Sequence, residues 1–279
     1  MQTRPFRIGV VNASSRLDPA RGEAIRAWAA ATWPDGSVEL VMHPALHEVH
    51  GHFGGDDATR ARAFVETAND PAIDAVWFAR GGYGACRIAE AVIPELTAHA
   101  YAKRYLGYSD AGSLLAALYR AGFPHVAHGP MASDGSRHDA TGRRAVNWLR
   151  SGDPTSLEPS LLTDTRPAVG FNLTILNELV GTAIEPDLTG HVLMLEEVSE
   201  ALYRVDRMMF HLTSQASIRR VAGIRLGRVS DVTVNDPDFG LTAEEIVHYW
   251  CVRSGIPYLG DADIGHDRDN KVVPFGVRG

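Results

Sequence analysis

Two cysteines, Cys86 and Cys251, are too few for a disulfide framework, so a reducing compartment is the default reading. No run approaches the roughly 20 apolar residues that cross a bilayer. The first residues, MQTRPFRIGVVNASS, lack the apolar core and small-residue cleavage site of a signal peptide. The chain is therefore expected to be cytoplasmic, without a membrane partner. Basic charge is also short. A formal net charge of −7 leaves no surplus to neutralise phosphates, and no local Lys/Arg cluster supplies one, which excludes a nucleic-acid partner. There is no G-x-G-x-x-G, Walker loop, C-x-x-C or H-E-x-x-H, and no internal repeat or low-complexity segment.

What is present is ordinary globular composition, 45% hydrophobic and 22% charged, in 279 residues that can bury a full core. Ile8 to Val11, Ala75 to Phe78, Arg104 to Gly107 and His125 to His128 read as short strands. Between them lie amphipathic helices, one with Ile25, Trp28, Ala29 and Thr32 on a single face. Another aligns Ala61, Phe64, Val65 and Ala68, and a third Leu114, Leu115, Leu118 and Ala121. This alternation predicts an α/β fold with a parallel sheet covered on both faces. From about Ser136 to Val169 the pattern weakens and Gly, Pro, Ser and Thr accumulate. The expected organisation is an N-terminal α/β domain over 1–140, a linker over 141–168 and a smaller C-terminal α/β domain over 169–279. The second half restarts with Leu173 to Val180. It continues with a strand at Val192 to Leu195, a helix presenting Val205, Met208, Met209 and Leu212, and a capping box at Thr242-x-x-Glu245.

Several constellations could carry chemistry. Leu106-Gly-Tyr-Ser-Asp-Ala-Gly112 places Ser109 between an apolar strand and an amphipathic helix. There a turn exposes the hydroxyl beside the free N–H groups of the helix start. Ala111 stands where a G-x-S-x-G elbow has its second glycine, and taken alone the segment reads first as a helix N-cap. Arg80-Gly-Gly-Tyr-Gly84 is either an anion nest or a tight turn. Glu196 ends an apolar strand and is placed to hold an imidazole. Glu197 and Glu200 compete for that role, although neighbouring strand residues face opposite sides. His266, in Asp263-Ile-Gly-His-Asp267, lies on a loop and titrates near neutrality, as a general base must. His43, His47, His50 and His52 suggest a metal cluster, but Pro44 and Gly51 break any single helix presenting them, and an irregular solvated loop is the preferred reading. Cys86 near the glycine loop reads as a core residue.

Taken in order, six stretches resemble the LD-carboxypeptidase family, which includes microcin-immunity peptidases. They are Gly55-Asp-Asp-Ala-Thr-Arg60, Ala79-Arg-Gly-Gly-Tyr-Gly-Ala85, Gly107-Tyr-Ser-Asp110 and His128-Gly-Pro-Met131. Then come Leu195-Glu-Glu-Val-Ser-Glu200 with Tyr203-Arg-Val-Asp-Arg207, and Gly265-His266 with Asn270 and Pro274-Phe-Gly276. The resemblance implies two α/β domains with the active site at their junction, and a homodimer. It also implies a triad of Ser109 as nucleophile, His266 as base and Glu196 orienting it, with the N–H groups of Gly82 and Asp110 as oxyanion hole. No cofactor or metal is implied. The implied substrate is a murein tetrapeptide losing terminal D-alanine in cell-wall recycling, with Arg80 a candidate for its free carboxylate. Rival readings are a microcin-immunity-like peptidase or amidase acting on a peptidyl-nucleotide, and a non-catalytic binding protein on the same fold. The chain departs from the family at Val169-Gly-Phe-Asn-Leu173, where Phe171 replaces a small residue and puts the cleft shape in question.

Overall fold

In the computed structural model, which describes residues 4–276, ten strands form two sheets. In chain order they are β1 (Phe6–Val11), β2 (Val38–Met42), β3 (Ala75–Phe78), β4 (Arg104–Gly107), β5 (Val126–His128), β6 (Ala168–Asn172), β7 (Val192–Val198), β8 (Gly223–Ser230), β9 (Tyr258–Asp261) and β10 (Val273–Pro274). The first sheet runs β10-β5-β4-β3-β1-β2 and the second β6-β7-β8-β9. All pairings are parallel except β10 on β5. Helices cover both faces of the first sheet, so its inner strands are apolar throughout rather than alternating: every residue of β3 (AVWF) is buried. This is the α/β architecture with a larger and a smaller sheet that the sequence predicts.

The expected helices form with their apolar faces inward. Ile25 and Ala29 are buried in Pro19–Thr32, Phe64 and Ala68 in Asp57–Asn69, and Leu114, Leu115 and Leu118 in Gly112–Arg120. Val205, Met208, Met209 and Leu212 are buried in Leu202–Ser214, and the capping box at Thr242 starts Ala243–Ser254. Among the described residues no helix is long and apolar enough to cross a membrane.

Two segments differ from the sequence reading. The stretch 141–168 begins inside a helix, Asp139–Ser151, which packs Ala145, Val146, Trp148 and Leu149 into the core. Its apolar stripe is broken by Gly142, Arg143 and Arg144, and Gly142 is needed because a Cβ there would lie 2.3 Å from Trp28. The last strand belongs to the first sheet rather than the second, with Val273 opposite His128 and Pro274 opposite Ala127. Beyond it, Gly276 and Ala168 exchange backbone hydrogen bonds of 2.9 and 3.2 Å, so the stretch from Val273 to Gly276 ties β6 to β5.

Candidate active site

Ser109 comes one residue after β4, past Tyr108, and opens a short 3₁₀ turn that leads into the helix Gly112–Arg120. Its φ is 55°, a left-handed conformation that costs a residue with a Cβ, and it turns the side chain away from the strand. The glycine loop after β3 is pressed against it. A Cβ on Gly81 would stand 2.9 Å from the Ser109 hydroxyl, and one on Gly82, at φ 126°, only 2.0 Å from the hydroxyl of Ser15. The glycines are thus required by close approach as well as by backbone angle.

Asp110 fixes this arrangement. Its buried carboxylate accepts from the N–H of Ala85 at 2.8 Å and from the Ser14 hydroxyl, tying the serine turn to the glycine loop and to the loop after β1. Burial raises its pKa, while these bonds pull the other way. Arg60, fully buried, braces the loop from the far side, donating to the carbonyl of Gly84 at 2.7 Å and to that of Ala13. Arg80 donates to the carbonyls of Gly81 and Arg16, each at 3.2 Å.

Glu196 lies near the carboxyl end of β7, entirely shielded from solvent, and its Oε2 meets Nδ1 of His266 at 2.6 Å. Glu197 takes a different environment. It accepts from Asn172 Nδ2 at 2.8 Å, and from the backbone N–H and hydroxyl of Thr174 at 2.8 and 2.7 Å. Glu200 pairs with Arg204 at 2.6 Å. Of the three acids left open by the sequence, Glu196 is the one that reaches the histidine; Glu197 leaves the opposite face of β7, and Glu200 lies beyond the end of the strand.

A β-bulge aims the pair. Leu195 is opposite Leu226 but Glu197 is opposite Val229, so Gly227 and Arg228 together oppose Glu196. A Cβ on Gly227 would fall 2.7 Å from the Ile264 carbonyl and 3.1 Å from Glu196 Cβ. Arg228 reaches across to the histidine loop, donating to Asp263 at 2.7 Å and to both oxygens of Asp267, one at 2.9 Å. It thereby clamps the loop on both sides of His266.

The His266 ring packs on Tyr108, the residue before Ser109, with centroids 4.7 Å apart. Tyr108 in turn faces the carboxylate of Asp134 with its hydroxyl and the ring of His128 at 5.6 Å. His128 is fully buried beside Asn270 (3.3 Å) and is pulled down to about 3 by that burial, so it stays neutral. Burial also disfavours the charged form of His266. The hydrogen bond and charge of Glu196, with the charges of Glu197 and Asp134, outweigh it and leave the imidazole above its ordinary value. Burial raises Glu196 against the opposing bond from His266.

The sequence reading assigned no role to Arg60, Tyr108, Asp134, Asn172, Arg228 or Asn270. A buried Arg or Asn leaves no periodic signature, although Arg60, Tyr108 and Asn270 lie inside the stretches that carry the family resemblance. Phe171 does not shape the cleft: it is 1% exposed and packs on Phe275 at 5.1 Å, because alternation along β6 sends Asn172 toward the acids and Phe171 into the core. His43 caps a 3₁₀ turn and meets Glu66 at 3.2 Å, while His47 bonds the Leu17 carbonyl at 2.8 Å. Among the described residues no three His, Cys, Asp or Glu side chains converge as a metal site would need.

A serine on a strained strand-to-helix turn, pressed by a glycine loop, with an acid–imidazole pair packed against the preceding residue, has the parts of a serine-type hydrolase. Residues 8–129 match the LD-carboxypeptidase N-terminal domain and residues 167–279 the LD-carboxypeptidase C-terminal domain. The chain belongs to the LD-carboxypeptidase family and is a serine-type carboxypeptidase. It is 27% identical over 259 residues to the murein tetrapeptide carboxypeptidase of Pseudomonas aeruginosa, covering 82% of this chain and 83% of that protein. Its fold matches the muramoyltetrapeptide carboxypeptidase of Oxalobacter formigenes with a TM-score of 0.79 at 24% identity, over 97% of this chain and 92% of the other. It also matches the microcin C7 self-immunity protein MccF bound to glutamyl sulfamoyl guanosine, with a TM-score of 0.79 at 18% identity over 99% and 92%.

Proposed function

We propose that this carboxypeptidase removes the terminal D-alanine of murein tetrapeptides in the cytoplasm, using Ser109, His266 and Glu196 as its triad. The observation that carries the triad is the 2.6 Å contact between a completely buried Glu196 and Nδ1 of His266, whose ring lies against the residue preceding Ser109. With Nδ1 held by Glu196, Nε2 is the nitrogen left to work on the serine. It takes the Ser109 proton as Oγ bonds to the scissile carbonyl carbon. The carbonyl oxygen becomes an oxyanion, received by the N–H groups of Gly82 and Asp110. When the tetrahedral species collapses, the C–N bond breaks and the imidazolium gives its proton to the amine of D-alanine. Water then attacks the ester carbon, losing its proton to His266. Ser109 recovers its proton as the shortened peptide departs as a carboxylate.

Arg80 is suited to hold the terminal carboxylate. Nε and one Nη are bound to backbone carbonyls, which fixes the plane of the guanidinium and leaves the other Nη for the substrate. The test is release of D-alanine from a murein tetrapeptide by the protein and by Ser109→Ala. Release by the parent alone, unaffected by chelator, supports the mechanism, and equal release by both proteins refutes Ser109 as nucleophile.

A further inference from the structure

Two helices that hold no part of the proposed triad enclose a groove on the second sheet. Leu173–Leu179 connects β6 to β7, and Leu202–Ser214 connects β7 to β8. Both link parallel neighbours in the order β6-β7-β8, which sets them on one face of that sheet, packed against each other. Side chains three and four residues apart share a helix face. Arg204, Arg207, Met208 and His211 therefore line one wall, and Asn177 and Glu178 the other, around a cavity of about 600 Å³.

The polar groups of this cavity are only partly satisfied. Arg204 is taken by Glu200 at 2.6 Å, and His211 spans the groove, its Nδ1 meeting Asn177 Oδ1 at 2.8 Å. Since Oδ1 can only accept, Nδ1 carries the proton, and Nε2 of the neutral ring is left as an acceptor. Arg207 and Glu178 carry opposite charges on facing walls, yet neither forms an ion pair among the described residues. Long flexible side chains so placed would ordinarily meet. Arg207 is held back by its own helix, its guanidinium lying over the Tyr203 ring at 5.3 Å from the centroid. The groove thus offers a planar donor for a carboxylate on one side and acceptors for an ammonium on the other, with Met208 and Val180 as its apolar lining.

We propose that this groove binds a free α-amino acid, with the carboxylate on Arg207, the ammonium between Glu178 and Nε2 of His211, and the side chain against Met208 and Val180. A zwitterion answers both facing charges, whereas a simple anion or cation would leave one of them opposed. The cavity is of the size that small-molecule sites have. The site does not depend on the reaction proposed at Ser109 and stands or falls separately from it.

The test is a ligand-observed NMR titration with alanine, with propionate, which lacks the ammonium, and with alaninamide, which lacks the carboxylate. It is run on the parent protein and on Arg80→Gln, in which the proposed carboxylate holder beside Ser109 is removed. In both, alanine is expected to bind about tenfold more tightly than either analogue, the factor one charge-assisted hydrogen bond supplies. On the Arg80→Gln background, Arg207→Gln should weaken alanine about tenfold and leave alaninamide unchanged, and Glu178→Gln should weaken alanine equally while sparing propionate. Both side chains are exposed, so neither substitution disturbs the core. A preference between the enantiomers of alanine supports the site in either direction: tighter D-alanine points to the product of the proposed reaction as occupant, tighter L-alanine to an amino acid of other origin. No binding of alanine, equal affinity for all three compounds, or affinities indifferent to both substitutions overturns the site.

Discussion

On the proposed mechanism, Ser109 and His266 act through the groups that hold them. The buried carboxylate of Glu196 keeps the His266 pKa above its ordinary value despite the burial of the ring. A general base works only when neutral, so activity should rise with pH through this elevated pKa and be lost below it. Glu196→Gln keeps the shape but removes the charge. The imidazolium then loses its stabilisation and the acid limb of the kcat/KM profile should move to lower pH. The maximal rate should fall on the order of 10³–10⁴-fold as the ring loses its orienting anion. An unmoved acid limb would show that another group titrates. Gly82 is expected to be as sensitive for a steric reason. Its Cβ would overlap the Ser15 hydroxyl at a φ of 126°, so Gly82→Ala must displace the N–H proposed to receive the oxyanion. A loss of kcat on the order of 10²-fold, with Ser109 labelling also slowed, is the expected outcome.

At the scale of elements, the bulge between β7 and β8 lies where Glu196 meets His266, the proposed acid and base. Gly227 clears the space behind Glu196, and Arg228, next along the bulge, seizes Asp263 and Asp267 on either side of His266. Arg228→Met should lower kcat by about tenfold with little change in KM, because substrate contacts stay while the base loses its position. Arg228→Lys, retaining one charge but not the fork, should recover only part of the rate. A variant that raised KM alone would instead mark Arg228 as a substrate contact. None of this is visible along the sequence. Ser109 was legible because an apolar strand, a small turn and an amphipathic helix are local patterns, and β3 and β4 were legible as apolar runs. Glu196 was narrowed to a choice of three by its place at a strand end, and the choice among them needed the pairing of β7 with β8 and of Glu196 with a loop 70 residues away. β2, β6 and β8 escaped notice because Glu39, Gly170, Gly227 and Arg225 interrupt their hydrophobic runs. Family resemblance supplied the residue roles that local pattern could not.

The whole molecule is built so that its two sheets cannot part without dismantling the site. The chain leaves the second sheet at β9, passes through His266, and returns to the first sheet, where Val273, 0% exposed, pairs with His128. On the way, Asn270 bonds His128 of one sheet and the N–H of Gly265 in the His266 loop, each at 3.3 Å. Folding of the two sheets should therefore be one cooperative event, which the tryptophans can report separately. Trp28, Trp33, Trp77 and Trp148 accompany the first sheet, whereas Trp250 lies on a helix of the second and donates to Asp206 at 2.9 Å. In urea, a variant retaining only Trp250 and a Trp250→Phe variant should have transitions of equal steepness and ordering, each coincident with far-ultraviolet dichroism of the same protein. Val273→Ala, which empties space between the sheets, should cost about 2 kcal/mol and lower both midpoints together. If the Trp250 signal instead unfolds as a separate phase while the first sheet stays intact, the returning strand contributes little to cohesion, and the pairing of His266 with Glu196 must be maintained within the second sheet alone.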